Sequence, residues 1–388
     1  MNEAPRPSST WAWASLGTAG SLLVAYAAPR AVSDHVVGWW YAPAVPAGRP
    51  TATALVYAGM AVLCLAWMGL GRGLPSARAL MLVAVAWMLP LALAPPLFSR
   101  DVYSYLAQGT ILHLGHSPYH TAPSALAGLG RRHVLDAVSR FWRDTTAPYG
   151  PLFLGLVSVI VGIVGSNLIA GALLIRLLEL VGLVLIAVYV PRLAQAMGTQ
   201  RRRGLWLTLL SPLTALQLVA AGHNDLLMIG ILAAGVAIAL EGRPLRGVAL
   251  CALAATVKIP ALAAVPFILV AWGWGEDGAA ARAGFLAAGV LVTVAVLGGM
   301  TLITGVGVDW ISTSLFSTPA KVHLAITPAT AIGWTAASLL RDAGIAVSAR
   351  GLENALAMAA FAATALFGLW ALYRVRIPRL VVLLGAFL

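Results

Sequence analysis

LIAGALLIRLLELVGLVLIAVYVP, residues 168–191, is apolar apart from Arg176 and Glu179. A helix needs about 20 predominantly apolar residues to cross a bilayer's hydrocarbon core, so this stretch predicts a membrane span. Seven further runs pass or approach the same test, near 11–28, 51–70, 79–95, 204–221, 225–240, 284–304 and 353–373. The predicted fold class is therefore an all-α polytopic membrane protein, with residues 1–388 forming one transmembrane domain.

Composition points the same way. Of 388 residues 60% are hydrophobic and 10% charged, where an ordinary soluble domain carries about 25% charged residues, and the mean hydropathy is +0.89. The formal charge of +12 would suit a nucleic-acid binder on a soluble fold. Here the arginines sit in short loops beside apolar runs, which is the positive-inside pattern of a membrane protein, so no nucleic-acid partner is expected. Cys64 and Cys251 each lie inside an apolar run without a metal-ligand neighbour and read as packing residues. The run at 11–28 is near full spanning length and reads as a retained helix rather than a cleaved signal. The last apolar run begins after Arg379 and stops at Leu388, so further C-terminal helices are expected in a longer protein.

Orientation follows from the basic loops. Arg72 and Arg78, Arg192 with Arg201, Arg202 and Arg203, Arg243 with Arg246, and Arg374, Arg376 and Arg379 all become cytoplasmic if the N-terminus is. Residues 151–165 are then too short to span and form an external interfacial or re-entrant helix. Residues 247–274 are broken by Lys258 and Pro260 in "TVKIP", which predicts a broken helix or hairpin lining a cavity. Two long loops, 96–150 and 305–350, face outward and are the expected place for chemistry. Within the first, "RRHVLDAVSRFW" (131–142) spaces Val134, Leu135, Val138 and Phe141 as an amphipathic interfacial helix. There is no P-loop, no Rossmann fingerprint and no internal repeat, which argues against nucleotide chemistry.

With 13 acidic residues in the chain, each carboxylate near a helix mouth can be weighed singly. Asp101 follows Pro95 and Pro96 at the end of the third run, where it either accepts a proton or caps the helix beginning at Val102. Asp225, with His223 and Asn224, sits in "GHND" between two runs, as a turn cap or as part of a functional path. Arg176 and Glu179, three apart, read as a mutually neutralising pair. Lys258 has no acid within a turn, so it either binds an anion such as a lipid phosphate, with Arg100, Arg143 or Lys321 closing over it, or snorkels. Tyr149 in "TAPYGPLF" (146–153) is a sugar-stacking candidate or simply part of a turn.

"SRDVYSYLAQG" (99–109), "PYGPLF" (148–153), "GHND" (222–225) and "TVKIP" (256–260) together resemble the actinobacterial polyprenol-phosphate-mannose-dependent alpha-1,6-mannopyranosyltransferases of the GT-C superfamily, from about residue 80 to 275 and more weakly beyond. The resemblance implies a GT-C-type helical bundle and places Asp101 at the family's acidic position as catalytic base. It implies an inverting transfer of mannose from polyprenyl-phosphate mannose to an alpha-1,6 mannan or glycolipid acceptor in cell-envelope lipomannan synthesis. The enzyme would be multi-pass in the plasma membrane, with its site facing outside. Arg100, Tyr103, Tyr149, His223, Asn224, Asp225 and Lys258 are the candidate substrate- and phosphate-binding residues. No cofactor is expected, and the lack of an Asp-x-Asp cluster predicts metal independence. Competing readings are a GT-C enzyme for another polyprenyl-phosphate sugar, a lipid or sugar transporter or flippase, and an inert scaffold.

Overall fold

The computed structural model describes residues 7–32, 37–314 and 328–388, and all regular structure among them is helical. In chain order the helices are α1 (Pro7–Ala31), α2 (Arg49–Gly71), α3 (Ala77–Leu93), α4 (Asp101–His113), α5 (Arg132–Ala137), α6 (Pro151–Val164), α7 (Leu168–Ala196), α8 (Arg201–Thr208), α9 (Asp225–Leu240), α10 (Pro244–Ala255), α11 (Ala264–Gly273) and α12 (Ala279–Thr304). A π-helix at Thr214–Ala220 joins α8 to α9, and further helices follow at Pro328–Asp342, Ala349–Arg374 and Leu380–Phe387.

By length and composition, four described helices can cross a membrane: α2, α7, α12 and Ala349–Arg374. The π-helix and α9, bent through 114°, make a fifth if taken as one broken span. Among the described residues there are therefore fewer full-length spans than the eight read from the apolar runs. The reasons are local. Helix α1 has the length, but Ser, Thr, Gly and Trp dilute it. Helix α3 stops at Leu93 because Pro95 and Pro96 lack the amides to continue it, leaving 17 residues. The expected helix 204–221 is interrupted at residues 209–211, just before Pro212, and Gly222, at φ +71, turns the chain into α9.

Two large apolar cores form, with a smaller cluster beside them. In one, α1, α2 and α3 pack with α8 and the π-helix; the buried Trp87 indole donates to the Ala14 carbonyl at 2.9 Å. Trp67 and Trp206 stack at 4.6 Å, and each indole donates to the other's carbonyl, at 3.0 and 2.9 Å, fixing α2 to α8. In the other, α4, α6 and α7 surround α9, α10 and α11. Cys64 and Cys251 are free thiols, the latter buried in this second core, in keeping with packing roles.

The first loop is not a membrane-surface device throughout. Helix α5 covers only six residues, and Val134, Leu135 and Val138 are buried with Ile111 and Leu126 rather than turned to lipid. The amphipathic stripe of 131–142 is real, but its apolar side closes on α4. Phe141 alone of the four is exposed. The second loop folds back on the first: His120 Nε2 lies 3.0 Å from Asp309 Oδ2, and Ser314 Oγ donates to the Pro148 carbonyl at 3.1 Å.

Candidate active site

The two breaks seen in sequence meet at one junction. Pro260 has no amide to offer the Thr256 carbonyl four residues before it, just past the end of α10 at Ala255. Helix α6 begins at Pro151 and has free amides. Gly150 N–H donates to Val257 O and Leu152 N–H to Thr256 O, both at 3.0 Å. A Cβ on Gly150 would overlap the Thr256 carbonyl oxygen, so "PYGPLF" requires glycine at that point. "PYGPLF" and "TVKIP" are thus two halves of one joint, and Lys258 leaves it in an extended conformation.

From that joint Lys258 Nζ reaches Asp225, lying 2.9 Å from Oδ1 and 2.8 Å from Oδ2. Lys258 is therefore not the unpaired ammonium expected from the lack of an acid within one turn of it in sequence. Its acid comes from the first turn of α9, where the helix dipole also favours a carboxylate. Both side chains keep some contact with solvent, at 31% and 29% exposure.

Asp101 opens α4. The residue that serves the helix start is Ser99, whose Oγ accepts the Asp101 N–H at 3.1 Å; the Asp101 side chain makes no capping bond. Instead its carboxylate Oδ2 lies 3.5 Å from His223 Nε2. The chain just before it is strained, with Phe98 at φ +67, a conformation uncommon for a bulky residue. His223 is delivered by Gly222, which has positive φ and stands so close to α4 that a Cβ would come 2.5 Å from Val102 Cγ2.

Asn224 is wholly buried. Its N–H donates to the Tyr105 hydroxyl at 3.4 Å, while both polar atoms of its side-chain amide lack a hydrogen-bond partner among the described residues. Tyr105 and Tyr149 meet edge to face at 4.9 Å, with Phe153 completing the cluster. Tyr149 is 8% exposed and its carbonyl accepts from the Tyr119 hydroxyl at 2.8 Å, so its ring is committed to neighbouring rings rather than offered to a sugar. Burial pushes both the Tyr105 and Tyr149 phenols well above their ordinary range, helped at Tyr105 by the Tyr149 phenol and then the nearby carboxylates, and at Tyr149 by the carboxylates of Asp101 and Asp225.

Arg100 and Tyr103 line an adjoining cavity of about 400 Å³ with Trp39, Arg49 and Trp142. Arg143 is spent elsewhere: its guanidinium donates to the Val138 and Asp136 carbonyls at 3.2 and 3.3 Å and pins the loop. Lys321 lies outside the described residues. Among those described, no three His, Cys, Asp or Glu side chains converge.

Arg176 and Glu179 act on each other electrostatically, as expected of them, but no hydrogen bond joins the two side chains among the described residues. The Arg176 guanidinium donates to the carbonyls of Ala92 at 3.0 Å, Ala94, and Ala220 at 2.6 Å. It thereby ties the end of α3 and the end of the π-helix to α7. Both Glu179 oxygens are buried without a hydrogen-bond partner among the described residues, beneath Gly222, whose Cβ would sit 3.5 Å from Oε2. Tyr105 and Glu179 belong to the site's surroundings and were missed as such in sequence. The available signal for Tyr105 was its place one helical turn after Asp101, inside the first quoted motif; nothing near Glu179 in sequence ties it to the site.

Helices and site together define a multi-pass membrane protein with an ionisable cluster at one end of its bundle. The chain belongs to the alpha-(1->6)-mannopyranosyltransferase family, whose N-terminal domain matches residues 13–274. It is 38% identical to alpha-(1->6)-mannopyranosyltransferase A of Mycobacterium tuberculosis over 277 residues, 68% of this chain and 52% of that one. Against alpha-(1->6)-mannopyranosyltransferase A of Corynebacterium glutamicum identity is 34% over 286 residues, 66% of this chain and 58% of the relative. Against form B from the same organism it is 29% over 351 residues, 79% and 57%. The chain spans about half the length of these curated relatives. No solved structure matches it.

Proposed function

We propose that this chain carries the catalytic half of an inverting transferase that moves mannose from polyprenyl-phosphate mannose to an alpha-1,6 mannan acceptor outside the plasma membrane. The observation that carries the reading is the Asp101 carboxylate. It stands at a helix mouth, free of the capping duty that would explain it, and 3.5 Å from His223.

In this reading Asp101 takes the proton of an acceptor 6-hydroxyl as that oxygen attacks the anomeric carbon and the polyprenyl phosphate departs. His223 orients the carboxylate. Lys258 has three donors; Asp225 holds it in place from one side, and the remaining N–H is available to the leaving phosphate together with Arg100. The buried amide of Asn224, without a partner among the described residues, gains one when a hydroxylated ligand enters, offsetting a cost of about 1–3 kcal/mol for an unsatisfied group.

Orientation is supported by the basic loops. Arg78 begins α3 while Asp101 follows its end, and Arg243 follows α9 while Asp225 begins it. The site and the arginines therefore lie at opposite ends of these helices, which under the positive-inside rule supports an external site.

The test is transfer of radiolabelled mannose from polyprenyl-phosphate mannose to a short alpha-1,6 mannan by the purified protein, wild type against Asp101→Asn. Transfer by the wild type and its loss in a folded variant is the expected result. Equal transfer by both removes Asp101 and promotes Asp225, and no transfer by either turns attention to other polyprenyl-phosphate sugars.

A further inference from the structure

The end of the bundle opposite Asp101 holds a second cavity, about 850 Å³, walled by the start of α3, the end of α7, the start of α8 and the end of α9. Its charged lining is Arg78, Arg192 and Arg201 against a single acid, Glu241. Arg192 Nη1 already meets Glu241 Oε1 at 3.1 Å, so Arg78 and Arg201 leave about two positive charges over an open mouth.

The cavity continues into an apolar groove. Met81 and Ala187 line both, and the groove, about 260 Å³, follows α3 and α7 toward the site end with only apolar side chains along it. Met81, Ala84, Met88 and Ala92 face it from α3 at helical spacing, and Leu183 and Ala187 from α7. From Met81 to Ala92 a helix rises about 16 Å, close to the roughly 15 Å that is half a bilayer's hydrocarbon core. A charged mouth joined to an apolar channel one leaflet deep has the shape and polarity of a lipid, not of a free ion.

We propose that this continuous cavity is a binding site for a membrane phospholipid with an anionic headgroup. Its phosphate lies between Arg78 and Arg201, which guanidinium forks suit, and one acyl chain lies in the groove between α3 and α7. The same two helices frame the site, since Arg176 of α7 holds the Ala92 carbonyl of α3, so the acyl chain would lie along two elements that position Asp101. The proposal does not depend on the transfer reaction.

Delipidated full chain in neutral detergent would be offered phosphatidylglycerol or phosphatidylcholine of identical chains, and retained lipid counted by native mass spectrometry. One phosphatidylglycerol held at least tenfold better than phosphatidylcholine is expected. The double variant Arg78→Gln and Arg201→Gln, both exposed positions, is expected to lower retention about tenfold. Filling the groove with Ala187→Phe, or with Ala84→Leu if the first does not fold, is expected to lower it similarly. Equal retention of the two lipids overturns the proposal. So does full retention in the groove-filled variant, which marks a headgroup attraction alone, and so does displacement by millimolar inorganic phosphate, which marks a phosphate pocket.

Discussion

Lys258 grips both carboxylate oxygens of Asp225, at 2.9 and 2.8 Å, across 33 positions of sequence. The contact joins the broken segment after α10 to the first turn of α9, so it fastens the floor of the candidate site as well as charging it. Removing one partner of a fully buried pair costs about 3–5 kcal/mol and of an exposed pair about 0–1. With each side chain near a third exposed, Asp225→Asn and Lys258→Met are each expected to cost about 1–2 kcal/mol. The double variant is expected to cost less than the sum, and a double-mutant cycle on thermal unfolding in detergent reads this coupling. Strict additivity would mean that the pair contributes nothing.

Gly150→Ala tests the joint between α6 and α10. The added methyl meets a backbone carbonyl that cannot swing away, and the Gly150 and Leu152 hydrogen bonds hold that backbone in place. A loss of about 1–3 kcal/mol, the usual range for overpacking, is expected as a lower melting temperature. Gly128→Ala is the control, since its methyl would lie no nearer than 3.7 Å to its neighbour; equal melting of the two variants would show that the joint relaxes.

Arg176→Lys is expected to behave much like a loss of the residue. One guanidinium serves three carbonyls on two separate elements, and an ammonium lacks the planar fork to reach them together. Each carbonyl abandoned in the interior costs about 1–3 kcal/mol, so both Arg176→Lys and Arg176→Met are expected to lower the yield of folded protein in size-exclusion chromatography. A wild-type profile for Arg176→Lys would mean that charge alone matters at this position.

What the sequence made legible follows from how far apart interacting residues lie. Apolar runs marked the helices, and Pro95, Pro96 and Pro260 marked where they end, because these effects act within a turn. The mouth residues Asp101, His223 and Asn224 were found because polar groups between apolar runs stand out. The partner of Lys258 was not found, since it lies on another helix. Nor was the role of Arg176, whose partners are backbone carbonyls that only the chain breaks expose. The stripe of 131–142 was read correctly as amphipathic, but amphipathicity does not say whether lipid or α4 covers the apolar side.

Ser99 and Asp101 separate structure from chemistry at the mouth of α4. The Ser99 hydroxyl accepts the Asp101 N–H at 3.1 Å, so Ser99→Ala removes the local support for the helix start and is expected to cost about 1 kcal/mol or less. Transfer per folded molecule should stay within a few-fold of wild type, because no reacting atom is touched. Asp101→Asn keeps that backbone bond and the side-chain volume, so its melting temperature should stay near wild type. Its transfer should fall by at least about 100-fold, the low end of what a general base contributes. The comparison is a mannose-transfer assay paired with thermal unfolding on both variants. If Asp101→Asn lost stability and activity in the same proportion as Ser99→Ala, Asp101 would be a structural residue and the proton would have to go to another group at the same mouth, Asp225 first.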